Sequence, residues 1–222
     1  EQRAESREQR AESREQRAVK MISFEYDTQF IEALSFGKII GLTRTPLVDE
    51  QPIQPSLLEK ANDLIHMNAP LWRKALPDYH GNQCMEIASR LYALLNSHGI
   101  AADIVVGSVS IQGKSLYAIT PELIAKEAMQ PGDNNSGLNL HAWISLGGDS
   151  IVDYSLPSML VETMGAPPHF WQAGFVESAA DLFNQSIKYR PMVVGAQILG
   201  LVNSYDPQDM LQSIQSFSRK QI

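Results

Sequence analysis

Cysteine occurs once in this chain, at position 84. No intrachain disulfide can form, which suits a reducing compartment. No run of 18 apolar residues is present either, so no segment is expected to span a bilayer. Positive charge is scarce, with 18 Lys and Arg against 25 Asp and Glu and a formal net charge of −7. Nucleic acids and anionic membranes both select for clustered cations, and neither is expected as a partner. The N-terminal stretch is charged and lacks the apolar core of a secretory signal, so the expected location is cytoplasmic. A P-loop, a Gly-x-Gly-x-x-Gly fingerprint and a Gly-x-Ser-x-Gly elbow are all missing. His80 and Cys84 are too few ligands for zinc, which takes four. No cofactor and no metal are therefore expected.

What is present suits one folded domain with a charged extension. The hydrophobic share of 44% over 222 residues is ordinary for a globular chain with a real core. Residues 1–20 differ from the rest: EQRAESR stands at 1–7 and again at 8–14, and EQRA follows at 15–18. Five Glu and six Arg or Lys leave that segment at +1, so the remainder carries −8. With almost no apolar side chains it has no stripe to bury, and it is expected to be a low-complexity tail. Residues 21–222 form the expected folded domain.

Within that domain, helical spacing appears at 28–36 and 56–68, the latter after Pro55. The clearest helix is 84–98. Cys84, Ile87, Ala88, Leu91, Leu94 and Leu95 share one face, and Gly99 stops it. The pattern then changes to strand. Residues 102–111 are rich in Val and Ile, and 115–119 read as a hairpin partner. Residues 121–129 suit a short helix and 131–137 (PGDNNSG) a loop. Strands are expected at 139–146 and 150–154, joined across Gly147-Gly148-Asp149. A Pro-containing loop at 157–170 and helices at 178–187, 193–203 and 207–218 complete the reading. A central helix followed by an antiparallel sheet is an α+β layout.

The chemistry gathers around Cys84. Loop residues His80-Gly81-Asn82-Gln83 run directly into the helix, which puts the thiol in its first turn. The positive end of the helix dipole favours a negative sulfur there, and the free first-turn N–H groups can hold an oxyanion. Such a nucleophile lacks only a base. His141 starts one strand of the expected hairpin and Asp153 ends the other. Strand parity allows the two to share a sheet face, where an Asp fixes a histidine tautomer and stabilises its imidazolium. Gln83 is the candidate second oxyanion donor, with Tyr79 and Trp72 as alternatives. Each residue alone has a plainer reading. Cys84 would fill the core, His141 would be a satisfied polar group, Asp153 would cap a turn, and Gln83 would be a loop residue. His169, Phe170 and Trp171 would be a packed loop before they would be a substrate wall. The order Cys, His, Asp on one helix start and one hairpin is what packing alone does not account for.

From Gly81 to Leu156 this pattern resembles the transglutaminase-like branch of the papain-like cysteine enzymes. The resemblance rests on the helix after Cys84, the glycine-ended turn, the strand from Ala102, then His141-Ala142-Trp143 and Ile151-Val152-Asp153-Tyr154-Ser155. It implies a papain-like core, with a Cys-bearing helix packed on an antiparallel sheet and a Cys84–His141–Asp153 triad. It also implies attack on an amide or related acyl carbon of a protein, peptide or small amide. The motif around Cys84 is similar as well to that of arylamine N-acetyltransferases, matching at Gly81, Cys84 and Glu86. The Arg-Gly-Gly usual before their cysteine is replaced here by His80-Gly81-Asn82. A binding domain that retains the fold without catalysis is the third reading, and an intact triad speaks against it.

Overall fold

The computed structural model describes residues 25–130, 138–203 and 205–219. The expected tail at 1–20 and the expected loop at 131–137 lie outside them. The architecture is mixed α and β, with helices packed around one antiparallel sheet. No helix among the described residues is long and apolar enough to cross a membrane.

Helix α1 is seen over residues 25–39 and buries Tyr26, Phe30 and Ala33. Helix α2 (Pro55–Arg73) starts with its proline where the missing N–H costs nothing. Helix α3 (Cys84–Ser97) buries Cys84, Ile87, Ala88, Leu91 and Leu95, spaced as one face of a 3.6-residue period. The turn out of α3 is locked by Asn96. Its amide donates to the carbonyls of Tyr92 at 2.8 Å and Ala102 at 2.9 Å, and its oxygen accepts the Ala102 N–H at 3.2 Å. The chain is thereby aimed into β1 (Asp103–Ile111), where eight consecutive apolar or small residues follow the aspartate.

Strand β1 organises the sheet. It pairs antiparallel with β3 (His141–Ser145), with β6 (Ile187–Val194) and, at its far end, with the two-residue β2 (Lys114–Ser115). Strand β4 (Ser150–Asp153) pairs with β3, and β5 (Phe175–Ser178) pairs with β4. All residues of β3 and β4 are buried, so this hairpin lies inside the molecule. Segment 49–53 covers its turn. Pro52 bridges to Gly147, and the Gly148 N–H donates to the Gln51 carbonyl at 2.9 Å. A Cβ on Gly148 would stand 2.4 Å from the Glu50 carbonyl oxygen, so the second glycine serves this contact as well as the turn.

Several expectations are corrected. The partner expected at 115–119 is a strand only at Lys114–Ser115, after which the chain leaves the sheet towards α4 (Pro121–Met129). The loop expected at 157–170 contains helix α5 (Leu156–Met164). Its proline occupies the first turn, where it is compatible with a helix, and Gly165 closes it at φ +67°. The helix expected at 178–187 is only α6 (Ala179–Asn184), bounded by β5 and β6. Residues 193–194 end β6, and α7 (Gln197–Asn203) begins after Gly195. Helix α8 (Pro207–Arg219) packs on α3, as α3 packs on β3.

Candidate active site

The packing of α3 on β3 brings the expected nucleophile and base together. Cys84 is the first residue of α3 and His141 the first of β3. The Cys84 Sγ stands 4.0 Å from the carbonyl oxygen of Leu140, the residue before His141. Cys84 is 8% exposed and His141 fully buried. The first intrahelical bond of α3 runs from the Ile87 N–H to the Gln83 carbonyl at 2.9 Å. The N–H groups of Cys84, Met85 and Glu86 precede it, at the positive end of the helix dipole.

Asp153 reaches His141 through the hairpin register. Ile144 pairs with Val152 and Ser145 with Ile151. Continued by one step, that register sets Asp153 opposite Trp143. His141 is then two residues along the same face, within reach on the diagonal. The contact is made: His141 Nε2 and Asp153 Oδ2 are 2.5 Å apart. The other oxygen, Oδ1, accepts the backbone N–H groups of Ser155 at 2.8 Å and Leu156 at 3.0 Å, at the start of α5.

The charges of the pair follow from this geometry. Burial alone would strip the imidazole of its proton. The Asp153 charge and hydrogen bond outweigh burial and Cys84 adds to them, which raises His141 from its ordinary 6.5 to about 10. Burial would likewise neutralise Asp153. His141 first, then the Leu156 N–H and the Tyr189 hydroxyl, hold its carboxyl below the ordinary 3.8. The favoured state is an imidazolium on a carboxylate. With Nε2 committed to Asp153, the nitrogen left for sulfur chemistry is Nδ1, which is buried without a hydrogen-bond partner.

Gln83 occupies the N-cap position of α3, directly before Cys84, and its side-chain amide donates to Asn82 Oδ1 at 3.0 Å. Trp72 and Tyr79, the alternatives, belong to the segment leading to Cys84. Trp72 lies beside the buried ring of His80 at 6.0 Å and meets Tyr154 edge-on at 5.6 Å; its indole nitrogen is buried without a partner. Tyr79 is tilted against Trp171 at 5.5 Å. Arg73 donates to the Gln172 carbonyl at 2.6 Å, and the Gln172 amide donates to the Asp78 carbonyl at 3.1 Å. These contacts fasten the approach to Cys84 onto the segment after α5. His169 stacks on Phe170, which packs against Phe175, and the 3-10 turn Pro168–Phe170 that carries them buries none of its residues.

Two residues of the cluster escape the sequence reading. Tyr117 stacks on the His141 ring at 4.9 Å, although it lies outside any strand. Tyr189, on β6, donates to Asp153 Oδ2 at 2.7 Å. For Tyr189 a signal exists. Ile187 and Tyr189 alternate with Lys188 and Arg190, a period of two that marks a half-buried strand. No such signal marks Tyr117.

Among the described residues, no group of three or more His, Cys, Asp or Glu is placed to share a metal ion. No family model, curated protein or solved structure matches the chain.

Proposed function

We propose that this chain is a transglutaminase-like cysteine enzyme, a hydrolase or acyltransferase acting on an amide of a protein, peptide or small molecule. The observation that carries this reading is the His141 ring, held by Nε2 on Asp153 beside the Cys84 side chain. Nothing in ordinary core packing calls for a buried histidine held between a carboxylate and the only thiol.

On activation, the proton that Cys84 gives up is held on His141 Nδ1. The Cys84 sulfur attacks the amide carbon, and the carbonyl oxygen takes the negative charge. Backbone N–H groups of the first turn of α3 stabilise that oxyanion. As the tetrahedral intermediate collapses, the C–N bond breaks and the amine leaves with the proton from Nδ1. Water or a second amine then attacks the thioester, giving its proton to His141, and the Cys84 sulfur leaves. Water yields hydrolysis or deamidation, and an amine yields transfer. Asp153 stays ionised throughout and keeps Nε2 protonated.

Alkylation by iodoacetamide, followed by intact mass across pH, tests the reading. Below pH 7 the wild-type thiol is expected to react at least about tenfold faster than that of His141→Ala. A wild-type thiol with the same profile as that of His141→Ala would reject the reading.

A further inference from the structure

Four donors converge on the Asp153 carboxylate. Two are the backbone N–H groups of Ser155 and Leu156, both on Oδ1. The other two, His141 Nε2 at 2.5 Å and the Tyr189 hydroxyl at 2.7 Å, share Oδ2. Three of the four come from the continuous stretch of β3, β4 and α5. Tyr189 alone arrives from elsewhere, from β6 and 36 residues beyond Asp153. Its ring is 3% exposed and lies edge-on to Trp143 at 5.0 Å, while Trp143 stacks on His141 at 6.0 Å. The phenol is held from the side by the same aromatic column that holds the histidine.

We propose that Tyr189 is a positioning residue of the Cys84–His141–Asp153 cluster. Its hydroxyl keeps Asp153 ionised and fixes the oxygen on which His141 turns. The proposal rests on the cysteine-enzyme reading above.

The physical reason lies in the shared oxygen. A carboxylate oxygen with one short bond to an imidazolium is a good base, and it can draw the proton across. That transfer would neutralise the ring and remove the positive charge facing the sulfur. A second donor on the same oxygen lowers its basicity, so the proton stays on nitrogen. The phenol suits this task because it does not give its own proton up. Burial first, and then the Asp153 charge, push its pKa well above the ordinary 10. Among the described residues, the titratable groups facing this cluster are Cys84 and Tyr117 toward His141, and Tyr117 and Tyr26 toward Tyr189, with Tyr79 beyond Tyr117 and Asp149 and Asp27 beyond Tyr26. Tyr117 and Tyr26 are themselves raised by burial and stay neutral. The acid end of the titration is therefore set by Asp153 and its donors.

The measurement is the pH profile of Cys84 alkylation by iodoacetamide in the full chain, with melting temperature recorded alongside. Tyr189→Phe keeps the ring and removes the donor. The acid limb, below which reactive thiolate is lost, is expected to move up by about one pH unit. Replacing Tyr189 by 3-fluorotyrosine strengthens the donor and should move the same limb down. A merely structural hydroxyl would lower the melting temperature of Tyr189→Phe and leave the limb in place. That result overturns the proposal, as does a fluorinated variant with an unmoved limb, which decides the matter if Tyr189→Phe does not fold. The underlying reading fails differently. There the wild-type limb is already absent, the profile matches that of His141→Ala, and the Tyr189 role falls with it.

Discussion

Asp153 holds the backbone N–H of Ser155, two residues further on, at 2.8 Å with the oxygen that does not face His141. One carboxylate thus starts helix α5 and orients the histidine. Oδ1 meets the plain reading of this residue, a turn cap, while Oδ2 makes the contact to His141 on which the chemical reading depends.

That double use decides what Asp153→Asn should do. An amide has one acceptor oxygen. If it faces the ring and Tyr189, its NH2 confronts the N–H groups of Ser155 and Leu156; if it faces those, the ring loses its anchor. The variant is expected to lose about 1–3 kcal/mol of stability and on the order of 10–1000-fold in turnover. Urea unfolding and thiol alkylation measured together check it. Wild-type values in both would remove Asp153 from the cluster.

Cys84→Ala removes one sulfur atom from the start of α3, where the side chain is 8% exposed. The fold should be retained, with a loss of about 1 kcal/mol or less. Turnover on any amide substrate should vanish. Retained activity in the alanine variant would place the nucleophile elsewhere.

Stability should carry the signature of the raised imidazole. The folded chain keeps a proton on His141 up to about pH 10, whereas the unfolded chain releases it near the ordinary 6.5. The stability this contributes is complete below the ordinary value and is lost as pH rises through the folded one. Asp153, with its pKa lowered, acts in the opposite sense: its contribution is present above the ordinary 3.8 and fades as acid protonates it. The comparison is cleanest in a Cys84→Ala background, which removes ionisation of the thiol. There, the gap between parent and His141→Gln should narrow from near neutrality to alkaline pH, by at most about 1.4 kcal/mol per pH unit. A gap constant with pH would show that the ring is neutral in the fold.

Gly107→Ala probes the frame behind the site. Gly107 sits at the register shift between β1 and β6. A Cβ there would lie 2.0 Å from the Arg190 carbonyl oxygen and 2.9 Å from the Trp143 indole. Backbone on one side and a packed ring on the other leave no room to yield. The expected loss is about 3 kcal/mol, the upper part of the overpacking range, with Tyr189 drawn away from Asp153. Thermal unfolding and the alkylation profile should both shift, and an unchanged melting temperature would contradict the close approach.

Legibility in the sequence follows the range of the interactions. Helix α3 and the β3–β4 hairpin are written in local terms: an apolar face with a glycine stop, and two short strands about a Gly-Gly turn. Hairpin parity alone puts His141 and Asp153 on one face, so that contact is readable from spacing. Helix α5 is obscured by Pro157, which reads as a breaker but sits in a first turn. Strand β6 is obscured because Pro191 and the neighbouring Gly195 resemble loop chemistry. Tyr117 and Tyr189 reach the site only through tertiary packing, across 24 residues to His141 and 36 to Asp153. No local pattern encodes either distance. Gln83 is set by its nearest neighbour, with its side-chain amide donating to Asn82.

Strand β6 closes on β1 from the C-terminal part of the chain, and it carries Tyr189. A ribosome making this protein delivers Cys84, His141 and Asp153 before that strand exists. The nascent chain therefore holds all three residues while the phenol that donates to Asp153 still lies 36 residues further along the chain. The donors on Asp153 are complete only once β6 has joined the sheet, so a truncated product ending before β6 would leave that carboxylate one donor short.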